Sequence, residues 1–323
     1  MGVGGTPRSR NLILGIAEDM EWAGLRPFVE SLERTSFDGE VRLFVSGMSL
    51  TTRRRLRRLG VRLHSYRRAR FEFRGTVFDA YTPPLRRFRS WRIAAHYPPT
   101  VRRLSRLAPD QRRARAWLAA PLEAANVARH LRYYRYLASA GERYDNVMLS
   151  DTRDVFFTHD PFDFEIGDAL HCFLEESEYT LGTEPINRRW LTETYGEEVA
   201  VALGDRPVSC AGVTIGSYGA VLAYLSAMVD ELSQLRARND QPVHNYVVHN
   251  GLAPRVRLVR NGEGPVLTLG LMEAAAVSSL LPDRYAEFSV LHQYDRHPRL
   301  AEALLAELEQ PDARVAATGS SGA

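Results

Sequence analysis

The beginning of the chain alternates short apolar runs with helical patterns, and this alternation constrains the fold more than any other feature. Residues 12–17 form a continuous apolar run typical of a buried strand, and residues 25–32 place apolar side chains at helical spacing. A second strand is predicted at residues 41–45, a helix with a Ser/Thr cap region at 49–59, and a third strand at 61–64. Strands that alternate with helices in this way form parallel sheets, so the pattern predicts an α/β fold with a doubly wound sheet and helices on both faces.

Residues 147–162 place two carboxylates at the end of a predicted strand. An apolar run at 147–149 stops at a polar cluster that contains Asp151 and Asp154, and a second apolar run follows at 155–157. Ligands of open α/β sheets bind at the carboxyl ends of the strands, and a carboxylate pair there can hold Mg²⁺ or Mn²⁺ with positions left for a diphosphate. The alternative is an ordinary strand-to-turn junction, in which Asp151 caps the turn and Asp154 pairs with an arginine.

This stretch resembles the metal-binding aspartate-x-aspartate region of the GT-A glycosyltransferases, the nucleotide-diphospho-sugar transferase superfamily. The likeness is to the variant written aspartate-x-arginine-aspartate, followed by Val-Phe and a downstream Asp-Pro-Phe. Here two residues rather than one separate Asp151 from Asp154, which leaves open which of them contacts a metal directly. The resemblance implies a GT-A, Rossmann-like and mostly parallel central sheet, a Mn²⁺ or Mg²⁺ cofactor, and a nucleotide-diphosphate sugar as donor substrate.

The resemblance also implies residues that contact the donor. In the family, the turn after the first strand contacts the nucleoside, and this turn corresponds to Ala17, Glu18 and Asp19. Similar enzymes carry a basic residue on the helix before the metal motif, and Arg129, on a helix predicted at 121–138, fits best. The alternative for Arg129 is a solvent-facing arginine among many.

Two further regions complete the candidate donor contacts. Residues 208–217 form an apolar strand that contains Ala211 and Gly212, and glycine inside a strand allows a ligand or another backbone to approach closely. In GT-A families such a strand borders the sugar pocket. Arg153 in the metal motif and Arg296 near the C-terminus are further candidates for contact with the donor, Arg296 as a screen for the charge of the leaving group.

Residues 288–298 contain an apolar strand that ends with His292. A C-terminal histidine of GT-A enzymes supplies a further metal ligand, so the resemblance implies a metal shell of Asp151, Asp154 and His292, with His297 as the second choice. The alternative is a structural histidine.

Three carboxylates are candidates for a catalytic general base. Glu175 and Glu176 follow an apolar strand at 169–174, and Asp240 stands at a predicted helix start. The alternatives are structural: glutamates that finish a strand, and Asp240 as a helix N-cap. A retaining enzyme, which the resemblance favours, needs no such protein base.

A single domain is predicted over residues 11–308, between a disordered start at 1–10 and a disordered tail at 309–323. Prolines interrupt residues 67–122, which predicts a loop-rich excursion with short helices that is either a lid or acceptor surface or an ordinary extended loop. Trp190 is a candidate for the acceptor-side wall, with simple packing as the alternative.

Composition bounds the class of protein. A chain of 323 residues with 45% hydrophobic and 25% charged residues is typical of a globular protein. Its net charge is +3, and all of its basic residues other than histidine are arginines, because the sequence contains no lysine. Arginines crowd residues 53–135, which could face an anionic partner or form a solvated surface. Cys172 and Cys210 suit buried reduced thiols. Because no apolar stretch is long enough to cross a bilayer, we expect a cytoplasmic protein, with peripheral contact at the inner membrane face left open.

The sequence thus predicts a metal-dependent glycosyltransferase that moves a sugar to a hydroxyl of a glycan, polysaccharide or natural product. A sugar nucleotidylyltransferase is an alternative, but the first strand is not followed by the glycine-rich loop of that class. A non-catalytic, arginine-rich module that binds RNA or other anions is a second alternative, although no nucleic-acid motif occurs. The expected partners are a nucleotide sugar and an acceptor without nucleic acid, and the oligomeric state stays open.

Overall fold

A sheet of seven strands forms the centre of the molecule. The computed structural model describes residues 10–67, 70–73, 76–79, 94–141, 143–234, 239–280 and 284–310. The strands are β1 Asn11–Glu18, β2 Glu40–Ser46, β3 Arg62–Ser65, β4 Arg70–Phe73, β5 Thr76–Asp79, β6 Asn146–Ser150, β7 Val155–Phe157, β8 Leu170–Leu174, β9 Ser209–Ser217, β10 Val256–Val259, β11 Val266–Thr268 and β12 Val290–His292.

Helices connect most of these strands. The α-helices are α1 Trp22–Glu33, α2 Leu50–Arg58, α3 Ala94–Ser105, α4 Gln111–Ala119, α5 Ala125–Ala140, α6 Pro185–Tyr195, α7 Glu197–Ala202, α8 Tyr218–Leu232, α9 Gln241–His249, α10 Ala274–Ser278 and α11 Pro298–Glu309. Short 3-10 helices lie at Ala120–Leu122, Arg284–Glu287 and Tyr294–Arg296.

The strands of the central sheet are ordered β10-β8-β9-β6-β1-β2-β3. All neighbouring pairs are parallel except the two that include β9, which runs antiparallel to β6 and β8. The carboxyl ends of the other six strands therefore lie at one edge of the sheet, where β9 begins. The predicted α/β fold with a mostly parallel central sheet is confirmed.

Helices cover both faces of the sheet because successive strand residues point to opposite sides. Leu12 and Leu14 belong to a core that includes Leu131 of α5, whereas Ile13 belongs to a second core that includes Phe28 of α1. All five side chains are fully buried. Burial of one such side chain stabilises the fold by about 1.5–3 kcal/mol, so the two apolar faces hold the helices in place.

A smaller sheet of order β11-β12-β7 is joined to the central sheet through the short turn between β6 and β7. In this sheet β12 pairs antiparallel with β7, where His292 lies opposite Val155, and parallel with β11. Leu291 of β12 and Leu304 of α11 share a third core. The C-terminal part of the chain is thereby brought to the turn that carries Asp151.

The described residues extend slightly beyond both limits of the predicted domain. Arg10 belongs to them and pairs with Asp145 at 2.9 Å. Helix α11 includes Glu309, whose carboxylate pairs with Arg26 at 2.7 Å. The rest of the predicted start and residues 311–323 of the predicted tail lie outside the described residues.

Three other expectations concern the excursion, the cysteines and membrane crossing. The predicted excursion at 67–122 contains β4, β5, α3 and α4, and its residues 80–93 lie outside the described part of the chain. Cys172 and Cys210 are both free and buried, as predicted. Among the described helices, none combines the length and the apolar character that a membrane span requires.

Candidate functional site

The turn between β6 and β7 presents two carboxylates at the carboxyl edge of the central sheet. Asp151 follows the last residue of β6, and its N–H donates to the Gly212 carbonyl of β9 at 2.7 Å. Asp154 precedes β7, and its carbonyl accepts from the Gln293 N–H at 2.7 Å. Both ends of the turn are therefore held by backbone hydrogen bonds to other elements. These bonds fix the backbone positions from which the two carboxylate side chains extend.

His292, the last residue of β12, brings an imidazole to these carboxylates. Its Nε2 lies 3.4 Å from Asp151 Oδ2 and 4.0 Å from Asp154 Oδ1. The ring is fully buried, with Nδ1 3.6 Å from Cys210 Sγ, whereas Nε2 has no hydrogen-bond partner. Nε2 is thus within ion-pair distance of two carboxylates but in no well-formed hydrogen bond, an arrangement that suits a shared cation better than a purely structural histidine.

The three side chains fit a divalent cation. One ligand atom from each of Asp151, Asp154 and His292 lies within 4.8 Å of the other two. Carboxylate and imidazole ligands bind such ions at about 2.0–2.2 Å, which small side-chain movements from this arrangement can reach. A nitrogen in the donor set favours Mn²⁺ over Mg²⁺, which prefers oxygen ligands alone. Three protein ligands leave coordination positions for a substrate.

Gly212 of β9 provides the space in which these side chains meet. A Cβ at this position would overlap the His292 ring and lie 2.6 Å from Asp151 Oδ2. The strand can pass behind the cluster only without a side chain, so the glycine allows close approach of two side chains rather than of another backbone, and its contact with a donor stays a prediction.

Arg129 of α5 contacts Asp151 of the cluster and also binds two groups of the protein interior. Its Nη1 contacts Asp151 Oδ1, and its Nη2 lies 2.6 Å from Asp240 Oδ2 and donates to the Ala211 carbonyl at 2.9 Å. The residue is only 5% exposed. The alternative of a solvent-facing arginine is therefore wrong, and Arg129 fixes the orientation of Asp151 through a charge-assisted contact.

Asp240 stands at the N-cap position of α9 but makes no capping hydrogen bond with its side chain. Its carboxylate instead accepts from Arg129 Nε at 2.8 Å and contacts His130 Nε2 at 2.9 Å. The alternative of a capping side chain is therefore wrong, because a buried guanidinium competes for the carboxylate more strongly than a helix N–H. Although burial raises the pKa of Asp240, Arg129 and His130 outweigh this effect and hold the pKa below its ordinary value, which weakens the residue as a general base.

The pKa values of Asp151, Asp154 and His292 are shifted by burial and by the charges of neighbouring groups. Burial raises the pKa of Asp151, but Arg129 and His292 outweigh it and hold the pKa well below its usual range. Burial keeps the pKa of Asp154 above its ordinary value, with the Asp151 charge contributing. Burial opposes the charged form of His292, but the Cys210 sulfur and both carboxylates outweigh it and raise the pKa of the imidazole. Metal binding would therefore release the His292 proton.

A cavity of about 250 Å³ opens beside the cluster, with Asp151, Arg129 and Gly212 among its lining residues. Pockets that enclose drug-sized ligands have about 300–1,000 Å³, so this cavity suits one sugar ring rather than a whole nucleotide sugar. Glu175 lines it as a buried carboxyl group whose pKa is raised by burial, with opposing contributions from His292 and Arg296.

The rim of the cavity includes two more of the predicted residues. Arg296 is exposed and donates to the Gly270 carbonyl at 3.4 Å. Trp190 of α6 also lines the cavity, and its role as an acceptor-side wall stays a prediction. His297, the second choice for the metal, instead contacts the Leu269 carbonyl through Nε2 at 2.8 Å and lies outside the metal cluster.

The three residues predicted as the turn after the first strand lie at the same edge of the sheet but outside the cavity lining, and the first two belong to the end of β1 itself. The Ala17 side chain is fully buried in the core beneath α1, so only its backbone could contact a donor. Glu18 accepts a hydrogen bond from the Tyr66 hydroxyl at 2.8 Å, and Asp19 is exposed with a φ of 53°. Contact of Glu18 and Asp19 with a donor stays a prediction.

Two other predicted residues are not brought to the cavity. The Arg153 side chain is 78% exposed, and its Nε lies 4.0 Å from Asp295 Oδ2. Glu176 accepts from the Ser177 N–H at 2.9 Å and does not line the cavity, in contrast to its neighbour Glu175. Adjacent residues at a strand end point in different directions, so sequence reasoning could not choose between the two glutamates.

Several polar residues of the cavity wall were not predicted. Gln241, adjacent to Asp240, accepts from the Ala211 N–H at 2.9 Å and donates to Asn187 Oδ1 at 3.2 Å. Glu184 caps α6 by accepting from the Asn187 N–H at 2.6 Å. The acidic residue directly before Pro185 was a local signal for this helix start, but no sequence pattern indicates that Gln241 contacts β9.

Comparison of the chain with protein-family models gave no match, and comparison with curated proteins gave none either. Several solved structures are similar. The bifunctional glycosyltransferase WbbM, in its apo form, matches 90% of this chain at 12% identity with a TM-score of 0.45, and the match spans 46% of the WbbM chain. The galactosyltransferase LgtC, in complex with donor and acceptor sugar analogues, matches 93% of this chain and 97% of its own at 15% identity, with a TM-score of 0.45. Core-mannan synthase A from Aspergillus fumigatus, in its Mn/GDP form, matches 80% of this chain and 74% of its own at 13% identity, with a TM-score of 0.41.

Proposed function

We propose that this protein is a metal-dependent glycosyltransferase that moves a sugar from a nucleotide-diphosphate sugar to a hydroxyl of a glycan, polysaccharide or natural product. The observation that carries the proposal is the convergence of Asp151, Asp154 and His292 beside a cavity that suits a sugar ring. This convergence occurs at the carboxyl edge of a mostly parallel sheet, which is where open α/β proteins bind their ligands.

Such a site must stabilise the negative charge that develops on the leaving nucleoside diphosphate. A divalent ion supplies Lewis-acid stabilisation of the diphosphate oxygens when it is bound. Asp151, Asp154 and His292 would hold this ion, and Arg129 keeps Asp151 oriented towards it. Arg296, exposed at the cavity rim, adds positive charge near the leaving group.

Glu175 is the carboxyl group best suited to contact the reacting sugar or acceptor. It lines the cavity, and the raised pKa makes it a better proton acceptor than Asp240, whose carboxylate is occupied by Arg129 and His130. In an inverting reaction Glu175 takes the acceptor proton. In the retaining reaction that the resemblance favours, it binds the sugar instead, and the anomeric configuration of the product distinguishes the two roles.

The competing functions have less support from the site. In this cavity the buried Arg129 is paired with Asp151 and Asp240, so an anion could use only Arg296 at the rim without displacing a carboxylate. The first strand is followed by Asp19 rather than by the glycine-rich loop of a nucleotidylyltransferase.

The test is the thermal midpoint of the protein with a panel of nucleoside diphosphates and nucleotide sugars, each with Mn²⁺ or with EDTA. We expect one nucleoside diphosphate and its sugars to stabilise the protein only when Mn²⁺ is present. A ligand at a hundredfold excess over its Kd stabilises by about 3 kcal/mol, which is a readily measured shift of several degrees.

Each result of this panel has a direct consequence. A Mn²⁺-dependent shift identifies the nucleotide of the donor, which can then be used to search for acceptors. The absence of any shift across the panel, together with salt-sensitive RNA binding that does not respond to Mn²⁺, would replace the proposal with the binding-module function.

A further inference from the structure

A second cavity, of about 370 Å³, lies on the sheet face covered by α5, next to the edge strand β3. Three arginines line it, Arg113 of α4 and Arg132 and Arg135 of α5, together with the rings of Tyr66 and Tyr136. We call this cavity the arginine pocket. None of its lining residues also lines the cavity beside Asp151, so the two are separate.

Arg132 is built into the wall of the arginine pocket. It is 7% exposed, and its guanidinium carbon lies 3.8 Å from the centroid of the Tyr66 ring. Its Nη2 donates to the Ala120 carbonyl at 3.3 Å, whereas its buried Nε has no hydrogen-bond partner. A buried guanidinium with an unsatisfied donor is costly, because the group has given up water without a full set of replacements.

The three arginines differ from their neighbours in lacking a carboxylate partner. On α4, Arg112 and Arg115 both pair with Asp230, and on β2 Arg42 pairs with Glu40. Within the part of the chain that the structure describes, no ion pair involves the three arginines of the pocket. The pocket therefore groups three arginines whose positive charges no ion pair among the described residues neutralises.

The pKa values in the pocket reflect burial first and the neighbouring positive charges second. Burial lowers the pKa of Arg132 to about 10, with the Arg135 charge contributing and with Tyr66 and the Glu18 carboxylate opposing. Burial also lowers the pKa of Arg135, with Arg113 contributing, and the pKa of His64, with Arg42, Arg135 and Arg132 contributing. Each of these shifts means that the positive form is disfavoured, and a bound anion would offset this effect.

We propose that the arginine pocket binds the phosphate group of a small phosphate-bearing molecule. A phosphate dianion neutralises more of this charge than a carboxylate does, and its oxygens accept paired hydrogen bonds from guanidinium groups. The volume exceeds that of a phosphate group alone, and the Tyr66 and Tyr136 rings, each stacked on one face by a guanidinium, line the remaining space for an attached ring. The proposal needs neither the metal cluster nor a nucleotide sugar.

The test is calorimetric titration of the full chain in EDTA with phenyl phosphate, inorganic phosphate and phenol, in a buffer free of phosphate. We expect phenyl phosphate to bind and phenol not to bind. Arg132→Gln and Arg135→Gln should each weaken phenyl phosphate binding by about tenfold or more, because each removes charge-assisted hydrogen bonds to the phosphate. The matched control is Arg58→Gln, which removes one exposed arginine from α2 on the opposite face of the sheet.

The outcomes separate the sources of the phosphate. Phenyl phosphate binding that is tighter than that of inorganic phosphate by tenfold or more supports an organic phosphomonoester, and equal binding supports free phosphate as the occupant. Absence of binding, or equal binding by the wild type and by Arg135→Gln, would overturn the proposal. Arg135 is only half-buried, so its variant keeps the test valid where Arg132→Gln does not fold. Because EDTA is present throughout, failure of the proposed transferase activity would leave this result unaffected.

Discussion

Asp151 and Asp154 have different electrostatic environments although they belong to the same turn. Arg129 contacts Asp151, and the pKa of that carboxyl group is held low despite burial. The pKa of Asp154 is raised by burial and by the charge of Asp151. The Asp154 carboxylate is therefore destabilised in the free protein, and a bound cation would relieve this destabilisation.

Replacement of Asp154 by asparagine tests its role as a metal ligand. In EDTA we expect a thermal midpoint equal to or slightly above that of the wild type, because the variant removes a partly buried charge with a raised pKa. The stabilisation by Mn²⁺ should be lost, because the amide is a poor metal ligand. Thermal unfolding across a Mn²⁺ titration measures both effects.

The control for this experiment is Asp163→Asn, which removes an exposed carboxylate from the loop after β7 and should keep the wild-type response to Mn²⁺. A full Mn²⁺ response in Asp154→Asn would exclude the residue as a ligand. A drop of several degrees in EDTA would instead assign it a structural role.

At the level of secondary-structure elements, the position of His292 depends on the small sheet and on α11. Residue 292 is fixed opposite Val155 by the antiparallel pairing of β12 with β7. Leu291 is fully buried in the core that α11 shares with this sheet. Packing of the small sheet against α11 therefore determines whether the His292 imidazole reaches Asp151 and Asp154.

Comparison of Leu291→Ala with Leu225→Ala tests this dependence. Both leucines are fully buried, but Leu225 belongs to α8 and to the core on the α5 face of the sheet. Both variants should lose about 2–5 kcal/mol of unfolding free energy. Only Leu291→Ala should also bind Mn²⁺ more weakly, which calorimetry at a temperature where both variants are folded will measure. Equal Mn²⁺ affinities in the two variants would show that the small sheet does not control the site.

At the scale of the whole molecule, His244 links the pH of the solution to stability. The ring is fully buried on α9, with Nε2 2.8 Å from Ser209 Oγ and Nδ1 2.8 Å from the Tyr224 hydroxyl. Burial, with the His130 charge contributing, lowers the pKa of His244 to about 3. In the folded protein His244 therefore stays neutral at pH values below about 6.5, at which the same residue of the unfolded chain binds a proton.

Stability should consequently fall as the pH decreases from about 6.5 towards 3. Between pH of about 7 and 4.5, we expect His244 to account for a loss of about 3 kcal/mol of unfolding free energy. Denaturant unfolding of the wild type and of His244→Gln at both pH values measures this loss as the difference between the two proteins, with the exposed-histidine variant His159→Gln as the control. An equal loss in the wild type and in His244→Gln would contradict the prediction.

Local patterns in the sequence were sufficient to predict much of the fold. The apolar run at 12–17 became β1, and the cap region at Ser49 became the start of α2, where Ser49 Oγ accepts from the Thr52 N–H at 3.2 Å. These features depend on side-chain alternation and on hydrogen bonds within three residues, which a single stretch of sequence specifies. The resemblance to a metal-dependent family predicted His292 as a third ligand, and the structure places its imidazole beside Asp151 and Asp154.

Contacts between distant parts of the chain were decided only by the tertiary structure. The sequence suggested Asp240 as a helix cap, but folding brings Arg129 to it, and the ion pair prevails over the local hydrogen bond. Sequence reasoning could not choose between Glu175 and Glu176 either, because the register of β8 against its neighbours determines which carboxylate enters the cavity. The amino-acid sequence by itself thus determined the elements and the carboxylate-bearing turn. The side-chain partners were set by long-range packing, because buried charges take whichever partner the assembled fold places beside them.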